Sequence, residues 1–171
     1  MTPEFSRTFR LDELGGAPRA VSIAAGADER AALATRFGLI GIERLEATAE
    51  LTRDGDTVTA TGRIGGEITQ ACVASGDPVP ARISEEFALR FMPAGQEAAP
   101  DEVELAEGDL DELDYEGGSI DLGETVAQTM ALALDPFPRA PGAEDKLRAA
   151  GVIGEEDAGP FAALKALKDK L

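Results

Sequence analysis

The chain has 171 residues, 43% of them hydrophobic, and its 33 acidic residues against 16 basic ones set a net charge of -17. It contains no His and one Cys, which removes the usual general base at neutral pH and the commonest metal ligand, and with them any Ser-His-Asp, Cys-His or structural zinc set. No G-x-G-x-x-G follows a strand-like run and no G-x-x-x-x-G-K-[ST] occurs, so the familiar nucleotide-binding loops are absent, and no metal or cofactor is expected.

A chain of this size buries about 70% of its unfolded surface, enough for one domain with a real core. There is no run of 18 apolar residues, and the start, Met1-Thr2-Pro3-Glu4-Phe5-Ser6-Arg7, lacks a basic stretch followed by an apolar one. The expectation is a soluble, cytoplasmic protein with no membrane partner. Cys72, without a second Cys, forms no internal disulfide and fits a reducing compartment.

Residues 4–11 alternate, with Phe5, Arg7, Phe9 and Leu11 on one side, and residues 19–24 place Val21 and Ile23 on one side. Gly15-Gly16-Ala17-Pro18 between them is turn chemistry, so the two segments are predicted to pair antiparallel. Asp28 is the predicted cap of a helix over 29–37, in which Ala32, Leu33, Arg36 and Phe37 fall at helical spacing and which Gly38 stops. Residues 42–51 alternate Leu45, Ala47, Ala49 and Leu51 against Arg44, Glu46, Thr48 and Glu50, the period of a strand with one wet face. Asp54-Gly55 then turns the chain. Residues 57–64 repeat the period with Val58, Ala60, Gly62 and Ile64 inward, and Gly65-Gly66 leads into another strand over 67–73. After Ser75-Gly76-Asp77-Pro78, residues 81–92 put Ile83, Glu85, Phe87, Leu89 and Phe91 on one face and Arg82, Ser84, Glu86, Ala88 and Arg90 on the other.

The next segment changes character. Residues 91–138 hold 13 carboxylates and no Lys or Arg, whereas residues 1–90 set 10 Arg against 14 acids and residues 139–171 balance. Residues 94–102 read as loop and 103–105 as a short edge strand. Residues 109–115 fit one turn of helix or an extended segment. Asp109-x-Asp111 does not open a calcium loop, because Leu113, Asp114 and Ile120 stand where an oxygen ligand, a turn glycine and the closing Glu are required. Asp121 and Glu124 form an Asp-x-x-Glu capping box before a stripe of Leu122, Val126, Met130, Ala133 and Leu134, which Pro136 and Pro138 end. Residues 142–159 are small and charged, a predicted linker. Residues 160–171 open with Pro, align Phe161, Leu164, Leu167 and Leu171, and carry Lys165, Lys168 and Lys170 near the end: an amphipathic helix that docks on the domain or on a partner.

These elements predict an α+β fold: an antiparallel, open or barrel-like sheet of about six strands with two or three helices, in one domain over 1–141. The acidic segment repels phosphate and steers Lys/Arg-rich proteins toward it. Asp109, Asp111, Glu112, Asp114, Glu116 and Asp121 are therefore candidate partner-binding residues, with Tyr115 as an apolar anchor and Phe161 and Leu164 as a second apolar contact. The plainer reading of the same acids is a solvated surface, with Leu110 and Leu113 packed back onto the sheet. Direct RNA binding through Arg44, Arg53, Arg63, Arg82 and Arg90 is an alternative. A hydrolase built on paired carboxylates is another.

Several pieces stand in a particular order: Cys72-Val73-Ala74-Ser75, then Glu85-Glu86-Phe87-Ala88-Leu89-Arg90-Phe91, the acidic loop, Ile120-Asp121-Leu122, and Pro160-Phe161-Ala162-Ala163-Leu164-Lys165. In that order, over roughly residues 20–171, the chain resembles the YceD-like family, the bacterial large ribosomal RNA subunit accumulation proteins. The resemblance implies a part in accumulation or processing of large-subunit ribosomal RNA, with genes often beside one for a small basic large-subunit ribosomal protein, and implies no known catalytic activity. Joined to the acidic segment, it makes a non-catalytic assembly factor the expectation, with a basic ribosomal protein or a large-subunit precursor particle as partner. It also implies a difference. Many relatives carry a second Cys three residues after the first and further Cys past the Ile-Asp-Leu helix, suggesting metal binding, whereas here Ser75 and the Cys-free stretch 135–141 occupy those places. Cys72 is then read as a small packed residue near a turn.

Overall fold

Alternating apolar and polar side chains over three consecutive long segments dictate a meander, and the meander carries the rest of the molecule. A computed structural model of the protein describes residues 3–95 and 110–152. In chain order the elements are β1 (Thr8–Arg10), a 3-10 turn (Leu11–Glu13), β2 (Arg19–Ala24), α1 (Ala27–Phe37), β3 (Gly41–Asp54), β4 (Thr57–Ala71), β5 (Pro78–Pro93), β6 (Asp111–Tyr115), β7 (Ser119–Asp121), α2 (Leu122–Leu132) and α3 (Ala143–Ala149). Five strands form one sheet in the order β2-β3-β4-β5-β6, and β1 with β7 forms a separate two-stranded ribbon. The architecture is α+β, and the sheet is open, with β2 and β6 at its ends.

The inward positions of the meander, Leu45, Leu51, Val58, Ala60, Ile64, Ile68 and Phe91, are buried together with Leu33 of α1 and Leu122, Val126 and Met130 of α2. One face of the sheet is thus covered by the helices and the other stays polar, as the period-2 pattern requires. Gly38, at φ 65°, ends α1 as expected; its N–H bonds back to Thr35 and the chain enters β3.

Four expectations are corrected. The segment 4–11 does not pair with 19–24; β1 pairs with β7, more than 100 residues away (Phe9 opposite Ile120), while β2 pairs with β3. Phe5 is fully buried and Leu11 opens the 3-10 turn, so only three residues remain extended. The two strands expected around Gly65-Gly66 are one: β4 runs unbroken because Gly65 and Gly66 are held by β3 on one side (Glu46, Leu45) and by β5 on the other (Ser84, Ile83). Asp28 is not the cap of α1. Gly26 is, and its N–H is taken by the Glu29 carboxylate at 2.6 Å.

The fourth correction concerns direction. Residues 111–115 are extended, and β6 runs parallel to β5, with Leu89 opposite Asp111 and Phe91 opposite Leu113. A parallel neighbour needs a crossover of about a dozen residues or more, and the stretch between β5 and β6 is long enough to supply it. The predicted edge strand at 103–105 lies outside the described residues. Within the stretch read as a linker, Ala143–Ala149 forms helix α3. Among the described residues no helix is long and apolar enough to cross a membrane.

Candidate functional site

Of the acidic segment, the described part comprises the end of β5, β6, the turn through Gly117 and Gly118, β7, α2 and the stretch to Pro138, and most of its carboxylates lie between β6 and the first turn of α2. Alternation along β6 sends Glu112 and Asp114 to one face and Leu113 and Tyr115 to the other. Leu113 packs on the core and Tyr115 is only 8% exposed. The Tyr115 hydroxyl donates to the Asp56 carbonyl at 2.6 Å, so this side chain fastens β6 to the β3–β4 turn. Burial, with the Asp56 carboxylate second, pushes its pKa up, consistent with a phenol committed to a neutral hydrogen bond.

Asp121 is committed in another way. Its Oδ1 accepts the N–H of Glu124 at 3.2 Å, capping α2, and the N–H of Arg7 at 2.8 Å; its Oδ2 accepts the Ser6 hydroxyl at 2.5 Å. One carboxylate therefore starts α2 and pins the N-terminal segment across it. Gly123 makes that crossing possible, since a Cβ there would sit 2.7 Å from both Arg7 N and Phe5 O. Sequence reasoning recognised the cap but not the clamp; a glycine in the first turn of a helix was the signal that another backbone passes close by.

The Glu124 side chain does not complete the reciprocal half of the capping box. It pairs with Arg36 of α1 at 2.7 Å, and Arg36 also holds Glu4 at 2.8 Å. Nearby, Arg7 grips Glu29 through two parallel bonds of 2.7 and 2.8 Å. Hydrogen bonding to Arg36 lowers the Glu124 pKa, and hydrogen bonding to Arg7 lowers that of Glu29.

Between β6 and the β7–α2 unit lies a groove of about 600 Å³, lined by Phe91, Leu113 and Tyr115 and flanked by Asp114, Glu116, Asp121 and Glu124. Thr8, Ser119, Thr125 and Gln128 complete much of its wall, and among the described residues no Lys or Arg contributes to it. Glu112 pairs with Arg90 at 3.1 Å. Asp111, Asp114 and Glu116 are exposed and make no ion pair among the described residues. Of the predicted partner-binding residues, Asp111, Glu112, Asp114, Tyr115, Glu116 and Asp121 are thereby brought to one region. Asp109, Phe161 and Leu164 lie outside the described residues.

The sheet's polar face differs. Arg44 pairs with Glu46 and, at 3.7 Å, with Glu67; Arg82 also reaches Glu67 at 3.8 Å, and Arg63 pairs with Glu86. Arg53 is not on this face: it lies in phase with Leu51 and opposite the buried Val58, donates to the Leu11 carbonyl at 2.6 Å and meets Asp56 at 3.8 Å. A shallow hollow of about 890 Å³ on this face is lined mainly by small side chains such as Ala20, Ser22, Thr48, Thr61 and Ala88, with Arg63, Glu50 and Glu86. It is not basic.

Cys72 is buried at the β4–β5 turn, where Val73 N–H bonds to Pro138 O at 2.9 Å and Ala140 and Ala143 close over the thiol. The Ala140 N–H, helped by the Ser75 hydroxyl, lowers its pKa to about 7. The fold thus joins the 72–75 turn to the stretch 135–141. Among the described residues no group of three His, Cys, Asp or Glu side chains stands close enough to hold a metal ion.

Comparison with known proteins adds a family. A family model described as large ribosomal RNA subunit accumulation protein YceD matches residues 60–168, a span that contains the groove-forming segment. The resemblance read from the sequence reached further toward the N-terminus. No curated protein and no solved structure matches the chain.

Proposed function

From the premise that the chain belongs to the YceD family of large ribosomal RNA subunit accumulation proteins, we propose that it supports that accumulation by binding a basic ribosomal protein or large-subunit precursor particle through the acidic groove, without catalysing a reaction. The observation that carries this reading is the groove between β6 and α2, apolar at Phe91 and Leu113 and flanked by carboxylates of which Asp114 and Glu116 have no described counter-ion. An exposed ion pair contributes only about 0–1 kcal/mol, so charge alone gives encounter rate and sign preference. The apolar floor supplies what charge does not, a desolvated anchor that separates one cationic partner from another.

Two observations weigh against the alternatives. The arginines that an RNA-binding face would need are engaged by Glu46, Glu67, Glu86, Asp56 and Glu112, which leaves the sheet without a basic stripe. Among the described residues, the carboxyls whose pKa is moved, Asp12, Glu29, Asp77 and Glu124, are all moved down, the direction of structural ion pairs and not of a general acid held protonated near pH 7. Affinity capture from cell extract at low salt tests the proposal. Recovery of a large-subunit ribosomal protein or precursor particle, released as salt shortens the screening length from about 10 Å at 0.1 M toward 3 Å at 1 M, is the expected result. Recovery of metabolic enzymes alone would overturn it.

A further inference from the structure

We propose that the outer edge of β6 seats an added strand: an extended segment of the partner protein, alternating Lys or Arg with apolar residues, pairs its backbone with β6 and lays its apolar side chains into the groove. The inference rests on the acidic-groove reading above and gives it a binding mode.

β6 is the terminal strand of the five-stranded sheet, hydrogen-bonded to β5 on one side. Among the described residues, no other backbone bond is made by Asp111 through Asp114. An unpaired strand edge is a template for another chain, and proteins that do not use one blunt it with a short strand, charged side chains, Pro, a bulge or a cover. The described residues of β6 form a short charged strand with no Lys, Pro or bulge. They show carboxylates, which select among incoming chains: a second copy of β6 would set Asp and Glu against Asp and Glu, and a phosphate backbone would be repelled, whereas a cationic strand gains at each opposing position. The opposite edge, β2, has Arg19 and no acid, so the same segment has no reason to add there.

The pleat fixes the pattern of the guest. Glu112 and Asp114 lie on one face of β6 and Asp111, Leu113 and Tyr115 on the other, so a neighbouring strand with cations on its first face and branched apolar residues on its second meets carboxylates on the first and, past Asp111 at the start of the strand, the groove floor on the second. Five residues of β6 give a contact of about 17 Å, enough to pair about five residues of a guest strand.

The test uses an end-blocked heptapeptide of alternating Lys and Val against the full chain at low salt, together with two isomers of that peptide carrying N-methyl groups on the amides of one edge or of the other. A strand pairs through one edge only, so one isomer is expected to bind about tenfold more weakly than the parent and the other within about twofold. The parent is expected to slow hydrogen exchange at β6 amides. Equal binding by all three peptides, no binding by the parent, or β6 protection that rises with protein concentration in the absence of peptide would each overturn the proposal, the last by showing self-pairing. Equal binding that is nevertheless weakened by Asp114→Asn and Glu116→Gln removes the added strand and leaves the acidic groove standing. Capture of metabolic enzymes alone, with edge-selective peptide binding intact, removes the assembly reading and leaves the docking mode.

Discussion

The polar face of β3, β4 and β5 and the edge formed by β6 and the start of α2 are both crowded with charge, and they differ in how much of it is matched. On the sheet, Arg44, Arg63 and Arg82 are answered by Glu46, Glu67 and Glu86 within the same face, and Glu50 makes no ion pair among the described residues. At the edge, Glu112 and Glu124 are answered by arginines and Asp121 by hydrogen bonds, whereas Asp111, Asp114 and Glu116 have no described partner. The difference teaches that a count of charges separates neither region from the other. Matched carboxylates hold this molecule together, and the unmatched ones at the edge are those proposed to meet a partner.

Each part of that division can be attacked by substitution. The largest effect is expected at Gly123→Ala, where the new methyl meets the backbone of Phe5 and Arg7; a loss of about 3 kcal/mol in chemical denaturation would register the overpacking. Asp121→Ala removes the cap of α2 and strands the Ser6 and Arg7 donors, an expected loss of about 2 kcal/mol. Asp114→Asn, in the same acidic segment, is expected to change stability by less than about 0.5 kcal/mol. Equal losses at Asp121 and Asp114 would erase the distinction between structural and presented acids.

Arg36→Gln gives a smaller effect with a pH signature. Arg36 holds Glu124 below the ordinary glutamate value of 4.5. The folded state therefore binds its proton less readily than the unfolded chain does. The stabilisation from this pair is complete above pH 4.5 and is lost as pH falls through the depressed folded value. Thermal unfolding between pH 7 and pH 3 should show a loss of about 1 kcal/mol for Arg36→Gln at neutral pH, narrowing in acid as the intact protein loses the same contribution. A pH-independent difference would mean that Arg36 acts through packing alone.

Much of this was legible in the chain. The meander follows from Leu45 to Leu51 and Val58 to Ile64, because a period of two with one apolar face has few other solutions. The cap of α2 follows from Asp121 and Glu124. What the sequence does not encode locally is choice of neighbour. Phe9 carries nothing that names Ile120 as its partner, and β6 shows strand character without revealing that it lies parallel to β5. Gly65-Gly66 reads as a turn because only a strand held from both sides keeps such a pair extended. For the site, the acidic run marked the region, and distances were needed to divide it: Asp121 and Asp114 look alike in the chain and differ wholly in their hydrogen bonds.

The most direct test sets two triple variants of the full chain against each other in quantitative capture of large-subunit proteins from low-salt extract. Asp111→Asn with Asp114→Asn and Glu116→Gln neutralises the edge; Glu46→Gln with Glu67→Gln and Glu86→Gln removes the same charge from the sheet. The edge variant should lose recovery by about tenfold, the sum expected of three exposed charges at about 0.5 kcal/mol each, and the sheet variant should stay within about twofold of the unmodified protein. Equal losses in both would show that net charge, and not the groove, recruits the partner.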